Sequence, residues 1–219
     1  MPGKEWTIPS VKKNKEVLLI FLRAPEPGRV KTRLARDVGD EKALALYKSF
    51  VRASLSAARA WSDQDRYREI WITYYPEDKK DMVMDWLGRD DIFLAQSGAD
   101  LGQRMAGAME DAFELGAQKT VILGTDVPQI RPDHIKQAFE RLDATDLVLG
   151  PSLDGGYWLI GACRNRFSPT LFRKMNWGTP TVFADTIDRC RENNLTWSEL
   201  EMLQDVDTLA DLNVVENHL

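Results

Sequence analysis

"VLLIFLRAPEPGRVKTRLA", residues 17–35, changes character twice. Val17–Leu22 is continuously apolar, the pattern of a β-strand covered on both faces. Pro25, Pro27 and Gly28 then forbid regular structure. Arg29, Lys31 and Arg33 follow, three cations where a helix can begin. Two readings stand at this point. One is a solvated basic loop whose charges balance neighbouring acids. The other is a phosphate cradle: Gly28 for a tight turn, Lys31 as a point charge, Arg29 or Arg33 as a bidentate fork, and helix N–H groups at Thr32. The segment is not a Walker A loop, because Val30 stands where the second glycine belongs.

Outward from this stretch, β-rich runs alternate with helical patterns. Asp40 reads as the N-cap of a long helix whose Leu44, Tyr47, Val51, Leu55 and Ala58 form one buried stripe. Strand patterns recur at 69–75, 91–96 and 120–126, with helices between them, the second over about residues 101–115. Pro132 suits the first position of another helix. "DLVLGPSLDGGYWLIG" (146–161) breaks the rhythm, because two strand-like runs follow one another across a Gly-rich turn. Thr179-Pro180 opens a further helix, 195–200 reads as a short strand, and Thr208 begins the last helix. Such alternation predicts a Rossmann-like three-layer α/β/α fold on a mixed, mostly parallel sheet, the consecutive pair marking an antiparallel insertion.

Composition narrows the class. Hydrophobic residues at 43% and charged residues at 29% suit a soluble globular chain that needs no staples. We expect a tail over residues 1–15 and a single domain over 16–219. Cys163 and Cys190 show no metal spacing and read as reduced, cytoplasmic thiols. A net charge of −5 argues against a nucleic-acid partner. No run reaches the roughly 18 apolar residues of a membrane span, so no membrane partner is expected. "VLLIFL" is too short, and "RAPEPG" too unlike a cleavage site, for a signal peptide.

In an open α/β sheet, ligands sit beyond the carboxyl ends of the strands, so those loops carry the chemistry. Asp126 ends an apolar strand between Gly124 and Pro128; it reads as a Mg²⁺ ligand acting with substrate phosphates or as a turn former. Asp154, beside Gly155 and Gly156, reads as a ligand carboxylate or as half of a hairpin turn. Gln96 offers a base-edge hydrogen bond, Gly98 and Gly102 leave room for a flat ring, and Asp100 suits a helix N-cap. "DVDT" (205–208) reads first as a cap and second as a metal site. Trp177 either packs or stacks on a ligand. His134 and His218 have no partner nearby in sequence and read as surface residues. No Ser/His/Asp or Cys/His grouping can be assembled, which removes most hydrolase mechanisms.

Taken in order, "LLIFLRAPEPGRVKTRL", "QSGADLGQRM", "VILGTDVP", "LVLGPSLDGGYWLIG", "NWGTPTV" and "DVDTLADL" resemble the successive blocks of a bacterial family of glycosyltransferase-A-like (GT-A-like) proteins, DUF2064. The likeness spans about residues 16–213. The family lies in the nucleotide-diphospho-sugar transferase superfamily. The resemblance implies a Rossmann-like GT-A sheet with nucleotide over its N-terminal half. It gives the triphosphate to Arg29, Lys31 and Arg33, the base to Gln96 and Gly98, and Mg²⁺ to Asp126. Asp154 matches the aspartate of the "DGGY" block, and we infer that it is the second metal carboxylate.

The expected activity is therefore Mg²⁺-dependent nucleotidyl transfer from a nucleoside triphosphate to a small phosphorylated or anionic acceptor. Lys31, Arg33 and Asp126 carry the catalysis. Gly28, Arg29, Thr32, Gln96, Gly98 and Gly102 complete the nucleotide site, and Gly155, Gly156, Tyr157 and Trp177 form the acceptor pocket. The alternatives are a glycosyltransferase using a nucleotide-diphospho-sugar and a nucleotide-binding protein without turnover.

Overall fold

Along the first strand, the apolar run divides by alternation. Leu18, Ile20 and Leu22 enter one hydrophobic cluster while Val17 and Leu19 enter another. A strand whose successive side chains point to opposite faces needs a covering layer on each. The computed structural model, which describes residues 15–216, supplies both. Most of the tail expected over 1–15, and His218, lie outside the described residues; Lys15 belongs to the first strand.

The elements run β1 (Lys15–Arg23), α1 (Thr32–Val38), α2 (Asp40–Ser62), β2 (Arg68–Tyr75), α3 (Lys80–Leu87), β3 (Ile92–Ala95), α4 (Leu101–Glu114), β4 (Ala117–Gly124), α5 (Pro132–Arg141), β5 (Leu147–Pro151), β6 (Tyr157–Cys163), α6 (Val182–Glu192), β7 (Trp197–Glu199) and α7 (Leu209–Glu216). The sheet order is β3-β2-β1-β4-β6-β5-β7. β1 pairs in parallel with β2 and β4, and β2 with β3. β6 runs antiparallel to both of its neighbours, as the consecutive strand pair predicts. Residues from α2, α3 and α5 pack on one face of the sheet, and residues from α4 and α6 on the other. Among the described residues, no helix is long and apolar enough to cross a membrane, and both cysteines are free thiols.

Several boundaries shift by one to three residues: β4 covers Ala117–Gly124 where 120–126 is expected, and β7 covers Trp197–Glu199 where 195–200 is. Asp40 is the first residue of α2, and Gly39 holds the cap position without a side-chain bond. Thr179-Pro180 precedes α6, which begins at Val182. Asp100 does cap α4, its carboxylate accepting from the Gln103 N–H at 2.8 Å. Thr208 and Asp211 form a reciprocal cap on α7. The Thr208 hydroxyl accepts from the Asp211 N–H at 3.3 Å, and the Asp211 carboxylate accepts from the Thr208 N–H at 2.8 Å.

The C-terminal segment is fastened at two places. A satellite core of Leu34, Ala43, Phe50, Val206, Leu212 and Val215 joins α1, α2 and α7. Farther back, Glu201 meets His134. The expectation of a surface histidine fails here: His134 is 3% exposed, beside the Trp158 ring. Its neighbours Ile135, Ala138 and Phe139 form the inward stripe of α5. The Arg131 N–H donates to its Nδ1 at 3.2 Å, and its Nε2 lies against the Glu201 carboxylate. Burial, then the Arg131 charge, hold the imidazole below its ordinary pKa despite Glu201.

Leu34 is fully buried in the satellite core. Leu34→Ala should cost about 2–5 kcal/mol in urea unfolding; an unchanged midpoint would show that the core does not hold α1. The lowered His134 pKa fixes a sign. Its stabilising contribution is present above pH 6.5 and is lost as pH falls through the lower folded value. His134→Gln should flatten that acid limb of the Tm-against-pH profile. A slope identical to wild type would remove His134 from this role.

Candidate active site

The carboxyl ends of β1, β2, β3 and β4 open on one cleft of about 470 Å³. Its lining holds Arg23, Arg29, Lys31, Arg33 and Arg104, five cations, against two carboxylates, Asp126 and Asp207. Such an excess focuses potential on an anion.

Lys31 is at the centre. It ends the Pro/Gly loop in the left-handed conformation (φ 47°, ψ 44°), and its carbonyl accepts the first helical bond of α1 from Ala35. Its ammonium lies 2.8 Å from Asp126 Oδ1 and 3.0 Å from Asp207 Oδ1. The Lys31 side chain is 3% exposed, whereas Asp126 and Asp207 keep 50% and 39%. The cation is therefore sealed in while both carboxylates still face the cleft. Burial alone would lower the Lys31 pKa; the charges of Asp126 and Asp207 outweigh it and raise the value above 10.5. Arg33 reaches Asp207 Oδ2 at 3.5 Å from a mostly exposed position.

Three chain segments meet here, and local packing explains each. Thr125 and Val127 are buried on either side of Asp126, so the aspartate turns outward at the end of β4. Val206, wholly buried, donates its N–H to the Asp126 carbonyl at 2.9 Å. That bond carries Asp207 to the side of Asp126. Leu203, bound to the Pro151 carbonyl at 3.1 Å, guides the same segment past the end of β5.

The rest of the cleft is aromatic and polar. The guanidiniums of Arg104 and Arg23 lie 4.4 and 5.5 Å from the centre of the Tyr75 ring. Among the described residues, none accepts a hydrogen bond from the buried Arg104 Nε. The Gln96 amide nitrogen donates to the carbonyls of Thr73 (2.9 Å) and Leu22 (3.3 Å), so its oxygen is the atom offered to the cleft. Tyr47 exchanges two 2.8 Å hydrogen bonds with the Arg23 backbone; burial first, then the Asp126 charge, raises its pKa.

A smaller pocket of about 260 Å³ adjoins the cleft and shares Leu101, Asp126 and Asp207 with it. Asp154, Asp205, Gly156, Tyr157 and Trp177 line it. Asp154 forms the hairpin turn: its Oδ1 accepts from the Gly156 N–H at 2.8 Å and from the Ser152 hydroxyl. Burial, then the charges of Asp154 and Asp207, push the Asp205 carboxyl up to about 6.

Several expectations change. Arg29, Lys31, Thr32, Arg33, Gln96 and Asp126 share the cleft lining, whereas Gly28 stands behind it in the turn. Gly98 and Gly102 line neither of these two cavities; both line a separate one of about 690 Å³. A Cβ on Gly98 would lie 2.7 Å from the Gln103 side chain, and one on Gly102 would lie 2.6 Å from the Trp177 ring. Gly155 is pressed against the Pro180 carbonyl instead of lining the smaller cavity, while Gly156, Tyr157 and Trp177 do line it. The carboxylate that converges with Asp126 on one centre is Asp207, not Asp154. Arg23, Tyr47 and Tyr75 join the cleft lining without having been singled out for it, Arg23 and Tyr75 standing at the ends of their strands, and Asp205, read within "DVDT" as a cap or metal carboxylate, lines the smaller cavity.

The family described as "Uncharacterized protein conserved in bacteria (DUF2064)" matches residues 61–179. A solved structure from Desulfovibrio desulfuricans G20, a candidate nucleotide-diphospho-sugar transferase, is 37% identical. It superposes with a TM-score of 0.86 over 92% of this chain and 86% of that chain. The 4-diphosphocytidyl-2C-methyl-D-erythritol synthase of Anaerococcus prevotii DSM 20548 is 8% identical, with a TM-score of 0.61 over 93% of this chain and 98% of that chain. The inositol-1-phosphate CTP transferase of T. maritima is 14% identical, with a TM-score of 0.55 over 94% and 95%. These last two show a shared fold. No curated protein matches the chain. With the family match covering more than half of its length and a 37% identical relative aligned along nearly all of it, the chain belongs to the DUF2064 family.

Proposed function

We propose that the protein is a nucleotidyltransferase that holds a nucleoside triphosphate by its phosphates in the cationic cleft. It moves the nucleotidyl group to a small acceptor in the adjoining pocket. The observation that supports this reading most directly is the buried Lys31 ammonium between Asp126 and Asp207, at the junction of the two cavities.

Each residue has a part in that chemistry. Lys31, Arg29 and Arg33 neutralise the phosphates and the charge that grows on the departing pyrophosphate. Arg104, with an unpartnered Nε against Tyr75, and the Gln96 oxygen flank the nucleoside end. The acceptor oxygen attacks the α-phosphorus as the bond to pyrophosphate breaks, with no protein nucleophile. Asp126 and Asp207 fit a divalent cation such as Mg²⁺: both are hard oxygen donors, already within 3.0 Å of one cationic centre. Among the described residues no group of three or more His, Cys, Asp or Glu is arranged to hold a metal. Asp126 and Asp207 would supply two ligands and leave the rest to phosphate and water, the usual habit of Mg²⁺. When bound, such a cation, held by Asp126 and Asp207, would supply positive charge against that of the phosphates.

A second reading, glycosyl transfer from a nucleotide-diphospho-sugar, draws support from the 37% identical relative's description. It would use the same cleft for a diphosphate.

The test is a thermal-shift screen of ATP, GTP, CTP, UTP and nucleotide-diphospho-sugars, each with and without Mg²⁺. Triphosphates should raise Tm in a Mg²⁺-dependent way. Lys31→Met should lower turnover by about 10²–10³-fold, and Asp126→Asn or Asp207→Asn should abolish the Mg²⁺ dependence. A shift with nucleotide-sugars alone would favour the second reading. Binding without product from any acceptor would leave a nucleotide-binding protein, and no shift with any nucleotide would overturn the proposal.

A further inference from the structure

The two cavities that meet at Asp126 and Asp207 are opposite in charge. The cleft carries five cations against two carboxylates. The adjoining pocket carries four carboxylates, Asp126, Asp154, Asp205 and Asp207, and its lining contains no Lys, Arg or His. An acceptor anion could sit at the junction, within reach of Lys31 and Arg33. Any part of the acceptor that enters the pocket itself meets carboxylates.

We infer that the acceptor carries an ammonium group, and that this pocket holds it. The inference rests on the reading of the cleft as a nucleotide phosphate site. A cation on Asp126 and Asp207 would leave Asp154 and Asp205 uncompensated. Asp154 spends Oδ1 on its own turn, with Ser152 and Gly156, and keeps Oδ2 for a ligand. Among the described residues, none other donates a hydrogen bond to the Asp205 carboxylate. Both are acceptor-only groups, so the complementary ligand is a multiple N–H donor with positive charge.

The walls agree with the floor. Tyr157 and Trp177 meet at 89° with ring centres 6.4 Å apart, forming an aromatic corner. Aromatic faces attract ammonium groups, most strongly where water is excluded. About 260 Å³ admits a small amine-bearing head and not a polymer. An ammonium there would point the rest of the acceptor toward Asp126, where the nucleotide phosphates end. The chemical class is a small amino alcohol or amino sugar, free or phosphorylated at its reacting end.

The test uses matched pairs on the full chain saturated with nucleotide and Mg²⁺: ethanolamine against ethylene glycol, choline against 3,3-dimethyl-1-butanol, and glucosamine against glucose and glucuronate. Isothermal titration should show an ammonium member binding about tenfold or more tighter than its neutral isostere in at least one pair. Asp205→Asn should erase most of that preference. Thr179→Lys, which adds a cation at the half-buried rim and gives up the bond from the Thr179 hydroxyl to the Asn176 carbonyl, should erase it as well. Equal binding within every pair, preference for a neutral or acidic member, or no binding of any amine would overturn the inference. The nucleotide shift is measured first on the same sample. Its loss would defeat the functional reading, whereas its persistence without amine preference would defeat this inference alone.

Discussion

A buried ammonium between two half-exposed carboxylates organises this protein. Lys31 belongs to the loop after β1, Asp126 to the end of β4 and Asp207 to the segment before α7. Removing a lysine from water is costly unless its charge is compensated. Two carboxylates at about 3 Å supply that compensation, and the raised Lys31 pKa is its signature. The arrangement also ties the two ends of the fold together. Its cation is shielded, but its carboxylates remain available to whatever enters the cleft.

The division of charge on either side of this triad follows from the topology. β1, β2 and β3 are parallel, so their loops all emerge at one edge, and they deliver Arg23, Arg29, Arg33, Tyr75 and Gln96 there. Beyond β4 the sheet reverses at β6, and the β5–β6 hairpin brings Asp154 to that edge. The C-terminal segment runs past the end of β5 and adds Asp205 and Asp207. One antiparallel strand thus separates a basic half-site from an acidic one.

Much of this was legible in the chain because it is local. The apolar run of β1, the cation cluster after it and the Gly-rich turn at 154–156 each state their structure within a few residues. What could not be read depends on contacts between distant segments. Asp207 becomes a partner of Asp126 through a backbone bond from Val206, and no local pattern announces that bond. Gly98 and Gly102 read as bare backbone in the sequence, but the side where a Cβ would stand is packed: Gln103 against Gly98, and Trp177, from a remote loop, against Gly102. His134 carries a polar side chain into the interior, where the Arg131 N–H donates to one ring nitrogen and the Glu201 carboxylate lies against the other.

The backbone at Lys31 shows why the loop has the composition it does. A left-handed conformation costs a non-glycine residue about 1–2 kcal/mol, and glycine would adopt φ 47° without that cost. A glycine would, however, leave Asp126 and Asp207 facing each other with no cation between them. Lysine is the residue whose long stem can follow a left-handed turn and still bring an ammonium to a point 2.8 and 3.0 Å from both carboxylates. The preceding Pro25 and Pro27 limit the loop's freedom before folding, so the strained turn begins from a smaller ensemble. Strain at one residue, held by an ion pair and preceded by a stiff loop, is how the chain fixes a charge in place before a ligand arrives.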